Sequence, residues 1–165
     1  MARFSRKKQF FGLVAWLLVA YSAAAIGGIA SVSAGSFYAQ LVRPAWAPPP
    51  YIFGPVWMTL YTLMGIASWL VWRVGGFAAA SSALTLFLLQ LASNALWTWL
   101  FFRWRHGAAA FVDVVLLFAL IVATIVSFRR VSAPAGILLI PYLLWVAFAS
   151  VLTYSLWHMN PRILG

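Results

Sequence analysis

Residues 108–128 have the sequence AAAFVDVVLLFALIVATIVSF, an apolar run that contains one charged side chain, Asp113. A helix needs about 20 mainly apolar residues to cross the hydrocarbon core of a bilayer. The strands of a membrane barrel would alternate apolar and polar residues, and this run does not alternate. Because backbone polar groups in lipid must be satisfied within their own segment, the run predicts a transmembrane helix.

The basic residues divide the rest of the chain into similar apolar intervals. They stand near the N-terminus and at positions 43, 73, 103, 105, 129, 130 and 162. Each interval is long enough for one spanning helix. The sequence therefore predicts an all-α integral membrane protein, a five-transmembrane-helix bundle in a single domain over residues 1–165, with spans at about 9–34, 53–73, 78–102, 108–128 and 135–157.

The composition excludes several functional classes. Only 7% of the residues are charged, against about 25% in soluble domains. The 11 basic residues give a net charge of +10, but they form no patch dense enough to follow a nucleic-acid backbone. The chain has no cysteine, one acidic residue and two histidines. We therefore expect no disulfide, no pair of catalytic carboxylates, no metal site made by the protein alone and no nucleic-acid partner.

The positions of the basic residues also predict an orientation. With five spans the termini lie on opposite sides, and seven basic residues fall on the N-terminal side against four on the other. The positive-inside rule then places the N-terminus in the cytoplasm and the C-terminus outside. The apolar stretch after Lys8 is longer than the apolar region of a signal peptide, which favours a retained first span over a cleaved leader.

The first loop, residues 35–52, is the longest connection and has two interpretations. Pro48 to Pro50 predict a stiff polyproline II segment, bracketed by Trp46 and Tyr51. The aromatic residues are typical of the belt that any membrane protein has at the bilayer surface. Alternatively, the loop is a semi-rigid aromatic lid over a pocket between the helices.

Three spans carry faces that mix aromatic, small and polar residues. Close helix packing explains each face taken alone, since small residues allow close approach and amides bond across an interface. Together the faces predict an apolar cavity with few polar anchors, suited to a flat aromatic or sterol-like ligand. The faces are Trp57, Tyr61, Gly65 and Ser68 in span 2, Gln90, Asn94 and Trp97 in span 3, and Pro141, Trp145, Ala149 and Leu152 in span 5.

Two further features favour structural roles. Asp113 is the sole acid and lies early in span 4, seven residues after His106. A hydrogen bond to a neighbouring helix or a pair with a loop arginine is favoured over a proton relay. Gly27, Ser31 and Gly35 recur at four-residue spacing in span 1, which indicates close helix packing within the chain or across a dimer.

Several runs resemble one known family. RPAWAPPPYIFGPVWMTLYTLMG, from Arg43 to Gly65, resembles the signature of the translocator protein family, also called the tryptophan-rich sensory protein or TspO/MBR family. The runs LQLASNALW, AAAFVDVVLLF and PYLLWVAFASVLTYSLW agree with it in order and spacing. The resemblance covers about residues 10–160 and implies a five-helix bundle that is often dimeric.

The resemblance also implies a ligand pocket under the first loop. In that family the pocket binds porphyrins, haem and synthetic aromatic ligands, with sterols in animal members, and some members degrade porphyrins in light. Tryptophans matching Trp57 and Trp145 are implicated in that reaction, which makes them the candidates for catalysis. Carried over by position, the ligand-binding residues are Ala23, Ile26, Trp46, Phe53, Gly54, Trp57, Tyr61, Asn94, Trp145, Ala149 and Leu152.

This chain departs from the family pattern at two places. Animal members often have a tryptophan in the pocket wall at the start of span 4, where this chain has Ala109, which predicts a differently shaped cavity. The sterol-type motif needs a basic residue within five positions after its tyrosine, and after Tyr154 the nearest is Arg162.

Three functions follow from the resemblance and stay open. The first is a membrane protein that binds tetrapyrrole, porphyrin or haem as a non-covalent ligand and acts as a sensor, store or transporter. The second is a light- or oxygen-dependent enzyme that degrades porphyrin. The third is a lipid- or sterol-binding scaffold. Because the sequence shows no general base, nucleophile or metal site, binding ranks ahead of enzymatic activity.

Overall fold

Helices form almost the whole of the chain in the computed structural model, which describes residues 4–165. Within these residues there is no β-strand. A short 3₁₀ turn (Pro50–Ile52) leads into α3, and a π turn (Trp99–Arg103) extends α5. The helices are α1 (Arg6–Ala30), α2 (Ala34–Gln40), α3 (Phe53–Trp72), α4 (Gly76–Ala79), α5 (Ser81–Thr98), α6 (Gly107–Val131), α7 (Ala133–Leu138), α8 (Ile140–Met159) and α9 (Pro161–Leu164).

Five helical segments are long and apolar enough to cross a bilayer, which confirms the all-α, five-span membrane fold. The segments are Arg6–Ala30, Pro50–Trp72, Ser81–Arg103, Gly107–Val131 and Ala133–Met159. Most predicted boundaries lie within a few residues of these bounds. The agreement arises because the charged residues that bracket the apolar intervals stay at the helix ends.

The first span ends earlier than the sequence predicted. The hydroxyl of Ser31 donates to the carbonyl of Gly27 at 2.9 Å, and α1 stops at Ala30 rather than near residue 34. After a short turn the chain forms α2 within the predicted loop 35–52. The prolines also depart in part from polyproline II, because Pro49 is extended while Pro50 begins the 3₁₀ turn.

The fifth span consists of two helices, and the break between them lies close to Pro141. α7 ends at Leu138 and α8 begins at Ile140, so Pro141 lies in the first turn of α8 and not inside a continuous helix. A proline is tolerated in a first helical turn, where its missing N–H has no intrahelical partner to lose. The break therefore falls just before the proline.

The spans close into a ring. α1 packs against α3 and α5, α5 against α6, and α6 against α7 and α8, while α7 returns to α3. The α1–α3 contact is close because a Cβ at Gly65 would stand 2.7 Å from Cδ2 of Leu17. A larger residue there would force the two helices apart.

The one acidic side chain is buried between α5 and α6. The hydroxyl of Ser93 donates to Oδ1 of Asp113 at 3.1 Å, while Oδ2 has no partner among the described residues. His106 directly precedes α6 and is exposed, so it does not share the buried surroundings of Asp113. The arrangement is the interhelical hydrogen bond that the sequence favoured.

Candidate functional site

A cavity of about 350 Å³ opens inside the bundle at the end where α1 finishes and α3 begins. Its volume lies at the lower end of the usual range for small-molecule sites, about 300–1,000 Å³. Residues from α1, α2, α3, α5, the π turn and α8 enclose it. The lining consists of Tyr21, Ala24, Gly27, Gly28, Ser31, Ala34, Gly35, Tyr38, Pro50, Phe53, Gly54, Trp57, Met58, Tyr61, Trp97, Thr98, Phe101, Phe102, Trp145, Ala149, Leu152, Thr153 and Leu156.

Aromatic rings from α3 and α8 line this cavity. Trp57 of α3 lies 5.6 Å from Tyr61 between ring centroids, with the planes 33° apart. Phe53 meets Trp145 of α8 edge to face at 5.8 Å. Rings held in such contacts present flat apolar surfaces that suit a flat aromatic ligand.

A chain of hydrogen bonds lies beneath the aromatic walls. The hydroxyl of Tyr61 donates to Oδ1 of Asn94 at 2.6 Å, and Nδ2 of Asn94 donates to the hydroxyl of Tyr142 at 3.0 Å. The hydroxyl of Tyr142 donates in turn to Oε1 of Gln90 at 2.7 Å. These bonds join α3, α5 and α8, and they satisfy polar groups that would be costly to bury alone. The floor of the cavity is therefore held rigidly.

Two hydrogen-bond donors in the cavity wall have no acceptor. Nε1 of Trp97 and Nε1 of Trp145 are buried and unpaired among residues 4–165, and the Trp97 side chain is only 8% exposed. A buried indole N–H usually finds a partner. Both side chains border the cavity, but neither N–H is exposed in it, so a ligand would reach these donors only after neighbouring side chains shift.

The first loop closes the cavity from above. Tyr38 of α2 donates from its hydroxyl to the carbonyl of Pro48 at 3.1 Å. Burial raises the pKa of Tyr38, against the opposing effect of the nearby Arg43 charge, so the phenol stays protonated and able to donate. The side chain of Asn160 further binds the loop at Val42, donating from Nδ2 to the carbonyl and accepting the N–H at Oδ1, at 2.9 and 2.8 Å.

Trp145 also borders a second feature, a groove on the outer surface of the bundle between α3 and α8. The groove is almost entirely apolar. Its other lining residues are Pro55, Val56, Thr59, Leu60, Pro141, Leu144 and Phe148. The indole of Trp145 therefore stands between the inner cavity and a surface that faces lipid in a membrane-embedded bundle.

Comparison with known protein families is decisive. The TspO/MBR family model matches residues 14–158. The chain belongs to the TspO/MBR family. It is 46% identical over 126 residues to the sheep translocator protein, with 75% of each chain covered. It is 42% identical over 126 residues to the tryptophan-rich protein TspO of Chlorobaculum tepidum, with 76% of this chain and 80% of the relative covered. It is 33% identical over 149 residues to the tryptophan-rich sensory protein of Cereibacter sphaeroides, with 88% and 92% covered.

Most of the residues carried over from the TspO/MBR pattern line this cavity. They come from α3 and α8, where the family signature contains many tryptophans and prolines that define the alignment. The two tryptophan candidates, Trp57 and Trp145, are both among them. These residues are Phe53, Gly54, Trp57, Tyr61, Trp145, Ala149 and Leu152.

Four carried-over residues lie outside the cavity lining. Ala23 is buried in the helix packing, and Ile26 is 49% exposed with its carbonyl accepting from Nε1 of Trp99. Trp46 is 50% exposed and packs on Phe148 at 5.8 Å, on the outer side of the loop. Asn94 is not in the lining but accepts a hydrogen bond from the hydroxyl of Tyr61, a residue that is. The α1 wall is formed instead by Ala24, Gly27 and Gly28.

The glycines at and just after the end of α1 have two roles: one allows close helix packing, and the others border the cavity. A Cβ at Gly27 would lie 3.2 Å from Oγ1 of Thr98, so this glycine allows α1 and α5 to approach, as its spacing suggested. A Cβ at Gly28 or Gly35 would meet nothing within 4 Å. Gly35 and Ser31, which the sequence assigned to packing, therefore border open space in the cavity.

Several lining residues were not predicted as site residues. Tyr38, Phe101 and Phe102 lie in segments that the sequence placed in a loop or at a span end. Tyr142, the centre of the hydrogen-bonded floor, was missed although it stands three residues before Trp145 and next to Pro141. Its signal was a tyrosine within an apolar span, whose hydroxyl needs a partner.

The start of α6 does not contribute to the cavity lining. Ala109, which was expected to alter the pocket wall, is exposed on α6. Among the described residues there is also no group of three metal-ligating side chains. The chemistry available in the cavity is therefore that of aromatic rings, indole N–H groups and hydroxyls.

Proposed function

We propose that this TspO/MBR membrane protein binds a porphyrin or haem in the cavity below its first loop, as a sensor, store or transporter of such ligands. The observation that carries the proposal is the enclosed cavity of about 350 Å³ whose lining is rich in aromatic side chains, among them Phe53, Trp57 and Trp145. A tetrapyrrole has a flat ring that stacks on such walls, and its peripheral carboxylates accept hydrogen bonds. The names of two relatives, translocator protein and tryptophan-rich sensory protein, agree with a ligand-handling role.

The cavity provides surfaces for the ring of a tetrapyrrole. Its described lining contains no histidine, so a haem iron there would have only Met58 or a tyrosine hydroxyl as an axial ligand. The ring itself would be held by contacts with Phe53 and Trp57. Comparing the affinities for haem and for the iron-free ring measures how much an axial ligand adds.

The test is an absorbance titration of the purified protein with protoporphyrin IX in the dark. We expect a shift of the Soret band that saturates at one ligand per chain. Ala149→Leu places a larger side chain in the lining and should weaken binding about tenfold or more. Ala119→Leu, the same change at an exposed position of α6, is the matched control and should leave binding unchanged. Equal affinities for the two variants would contradict the assignment of the cavity.

A second candidate is light- or oxygen-dependent degradation of the bound porphyrin. The observation in its favour is that both Trp57 and Trp145 line the cavity, where their indoles would contact an excited ring. Illumination of the complex in air distinguishes the two functions. A stable Soret band indicates binding alone, and new absorbing products indicate degradation. The absence of any spectral change would indicate the third function, a lipid- or sterol-binding scaffold. This function has less support because no basic residue follows Tyr154 within the range of the sterol-type motif.

We propose in addition that the N-terminus lies in the cytoplasm and that the protein is a homodimer. The first proposal rests on the excess of basic residues on the N-terminal side. Reporter fusions at each terminus test it, and an N-terminal fusion active outside the cell would contradict it. The second rests on family membership, and the mass of the protein in detergent by light scattering tests it.

A further inference from the structure

Basic and aromatic side chains gather at the end of the bundle opposite the cavity. We call this surface the basic–aromatic face. It joins the start of α1 to the end of α3, which lie side by side in the fold. Its members are Phe4, Arg6, Lys7, Lys8, Trp69, Trp72 and Arg73.

Contacts between these residues order part of the face. Nζ of Lys8 lies 4.0 Å from the ring centroid of Phe4, and that ring packs on Trp72 at 4.8 Å. The guanidinium of Arg73 lies 4.8 Å from the ring of Trp69. Nε1 of Trp69 donates to the carbonyl of Gln9 at 2.9 Å, which fastens α3 to α1. Two of the cations are thus positioned by aromatic rings.

No carboxylate side chain can neutralise this face. Asp113 is the only acidic residue in the sequence, and it lies near the start of α6, at the other end of the bundle. It is buried there and bonded to Ser93. The counter-charge for the face must therefore come from outside the folded chain.

The helix dipole makes this placement of charge more unfavourable. Arg6, Lys7 and Lys8 occupy the first turn of α1, which contains no acidic residue. The N-terminal end of a helix carries a partial positive charge that favours anions and disfavours cations. By contrast, Arg129 and Arg130 stand in the last turn of α6, where the dipole favours them. The cations at the start of α1 are the ones that most need an external anion.

The neighbouring side chains indicate where that anion is located. Phe10 and Phe11 follow directly along α1 and are 63% and 68% exposed, as residues in contact with acyl chains would be. Lys7 and Lys8 lie three residues, about 4.5 Å, before Phe10 and Phe11 along the helix axis, so a bilayer that covered the two phenylalanines would bring its headgroups to these lysines. Trp69 and Trp72 are typical of the same boundary.

We propose that the basic–aromatic face binds the phosphate headgroups of anionic phospholipids. The cations of α1 and Arg73 neutralise the headgroup, the tryptophans contact its glycerol region, and Phe10 and Phe11 contact the chains. This binding is independent of the cavity and of the function proposed for it. It anchors the N-terminal end of α1 to α3 through a shared lipid.

The experiment measures lipid binding to the intact protein in a neutral detergent by native mass spectrometry. Phosphatidylglycerol and phosphatidylcholine of equal chain length are the probes. We expect the parent protein to prefer phosphatidylglycerol about tenfold or more, since each basic residue near an anionic surface contributes several-fold. The triple variant R6Q/K7Q/K8Q should lose that preference.

A matched triple variant controls for net charge. R103Q/R105Q/R162Q removes the same charge from exposed positions at the other end of the bundle and should keep the preference within about threefold. Equal losses in the two triple variants, or displacement of the lipid by excess inorganic phosphate, would overturn the proposal. If the first triple variant does not fold, R6Q/K7Q leaves the Lys8–Phe4 contact intact and should reduce the preference by at least half. An unchanged preference in that double variant would also overturn it.

Discussion

The side chain of Asn160, just after α8, pairs with both backbone polar groups of Val42, 118 residues earlier in the chain. The pairing ties the first loop to the last span. The same Nδ2 also lies 2.8 Å from the carbonyl of Leu156, so the amide is fixed in orientation. The closure of the cavity therefore depends on a residue far outside the loop that covers it.

Asn160→Ala should loosen the loop without changing the cavity walls. Removing the amide takes away the partners of both backbone groups of Val42, and since Val42 is exposed the loss is about 0.5–1.5 kcal/mol for each hydrogen bond. We expect protoporphyrin IX to dissociate about tenfold faster, measured by stopped-flow transfer to a scavenger. Ser155→Ala removes a hydroxyl that bonds only within α8 and serves as the control. A dissociation rate equal to that of the parent would show that the loop is held by other contacts.

Two substitutions test whether a bound carboxylate reaches the buried, unpaired indole N–H groups of Trp97 and Trp145. Trp97→Phe and Trp145→Phe keep an aromatic ring but lack the N–H, and each should raise the Kd for protoporphyrin IX about three- to tenfold. The dimethyl ester of the same porphyrin has weaker acceptors and should respond less. Trp99→Phe is the control, because its N–H bonds to the carbonyl of Ile26 outside the cavity. An ester that responded as strongly as the acid would argue against carboxylate recognition.

Trp57 and Trp46 should differ under illumination. If the complex degrades porphyrin in light, Trp57→Phe should slow product formation about tenfold or more, because this indole faces the bound ring. Trp46→Phe, on the outer side of the first loop, should react at the parental rate. Product absorbance after equal light doses gives both rates, and a dark titration corrects for occupancy. Parallel losses in the two variants would remove the case for a specific role of the cavity.

Asp113→Asn should be tolerated. The amide keeps the shape of the carboxylate and, through its oxygen, the hydrogen bond from Ser93. We expect a melting temperature equal to or above that of the parent, since a neutral amide is cheaper to bury than a carboxylate. Porphyrin binding and any photochemical turnover should stay within a few-fold. Loss of turnover with folding and binding intact would instead assign Asp113 a part in the chemistry.

Tyr142→Phe should destabilise the bundle more than an exposed counterpart does. The change leaves Nδ2 of Asn94 and Oε1 of Gln90 without their shared partner, at a cost of about 1–3 kcal/mol. Tyr154→Phe, at a half-exposed position of the same helix, should cost little. Thermal unfolding in detergent compares the two. Equal unfolding temperatures for the two variants would mean that the hydrogen bonds of Tyr142 do not stabilise the bundle.

The ends of the spans could be predicted because charged residues mark them. A charged side chain resists entry into lipid, so arginines and lysines bracket each apolar interval and the helix ends follow them. The position of α2 was not predictable in this way. Its sequence AGSFYAQ is short and contains glycine, and it is helical because Phe37 and Tyr38 pack into the bundle.

The α1 residues that line the cavity differ by one position from those carried over from the resemblance, and helix geometry explains why this matters. The resemblance pointed to Ala23 and Ile26, whereas Ala24 and Gly27 line the cavity. A helix has 3.6 residues per turn, so a shift of one position rotates a side chain by about 100°. α1 contains one tryptophan and no proline, so few residues define its register against the family. α3 contains both residue types close together at its start, and there Phe53, Gly54 and Trp57 all line the cavity.

The position of Trp145, between the inner cavity and the outer groove, bears on how affinity must be expressed. An apolar ligand partitions from water into a bilayer, and a site that opened toward lipid would take up the ligand dissolved there. Its occupancy then follows the ratio of ligand to lipid rather than the molarity of ligand in the buffer. Doubling the lipid at constant total ligand would dilute the ligand that the protein encounters and lower its occupancy. A dissociation constant for such a site is a mole fraction, and values obtained at different lipid or detergent contents become comparable only in that unit.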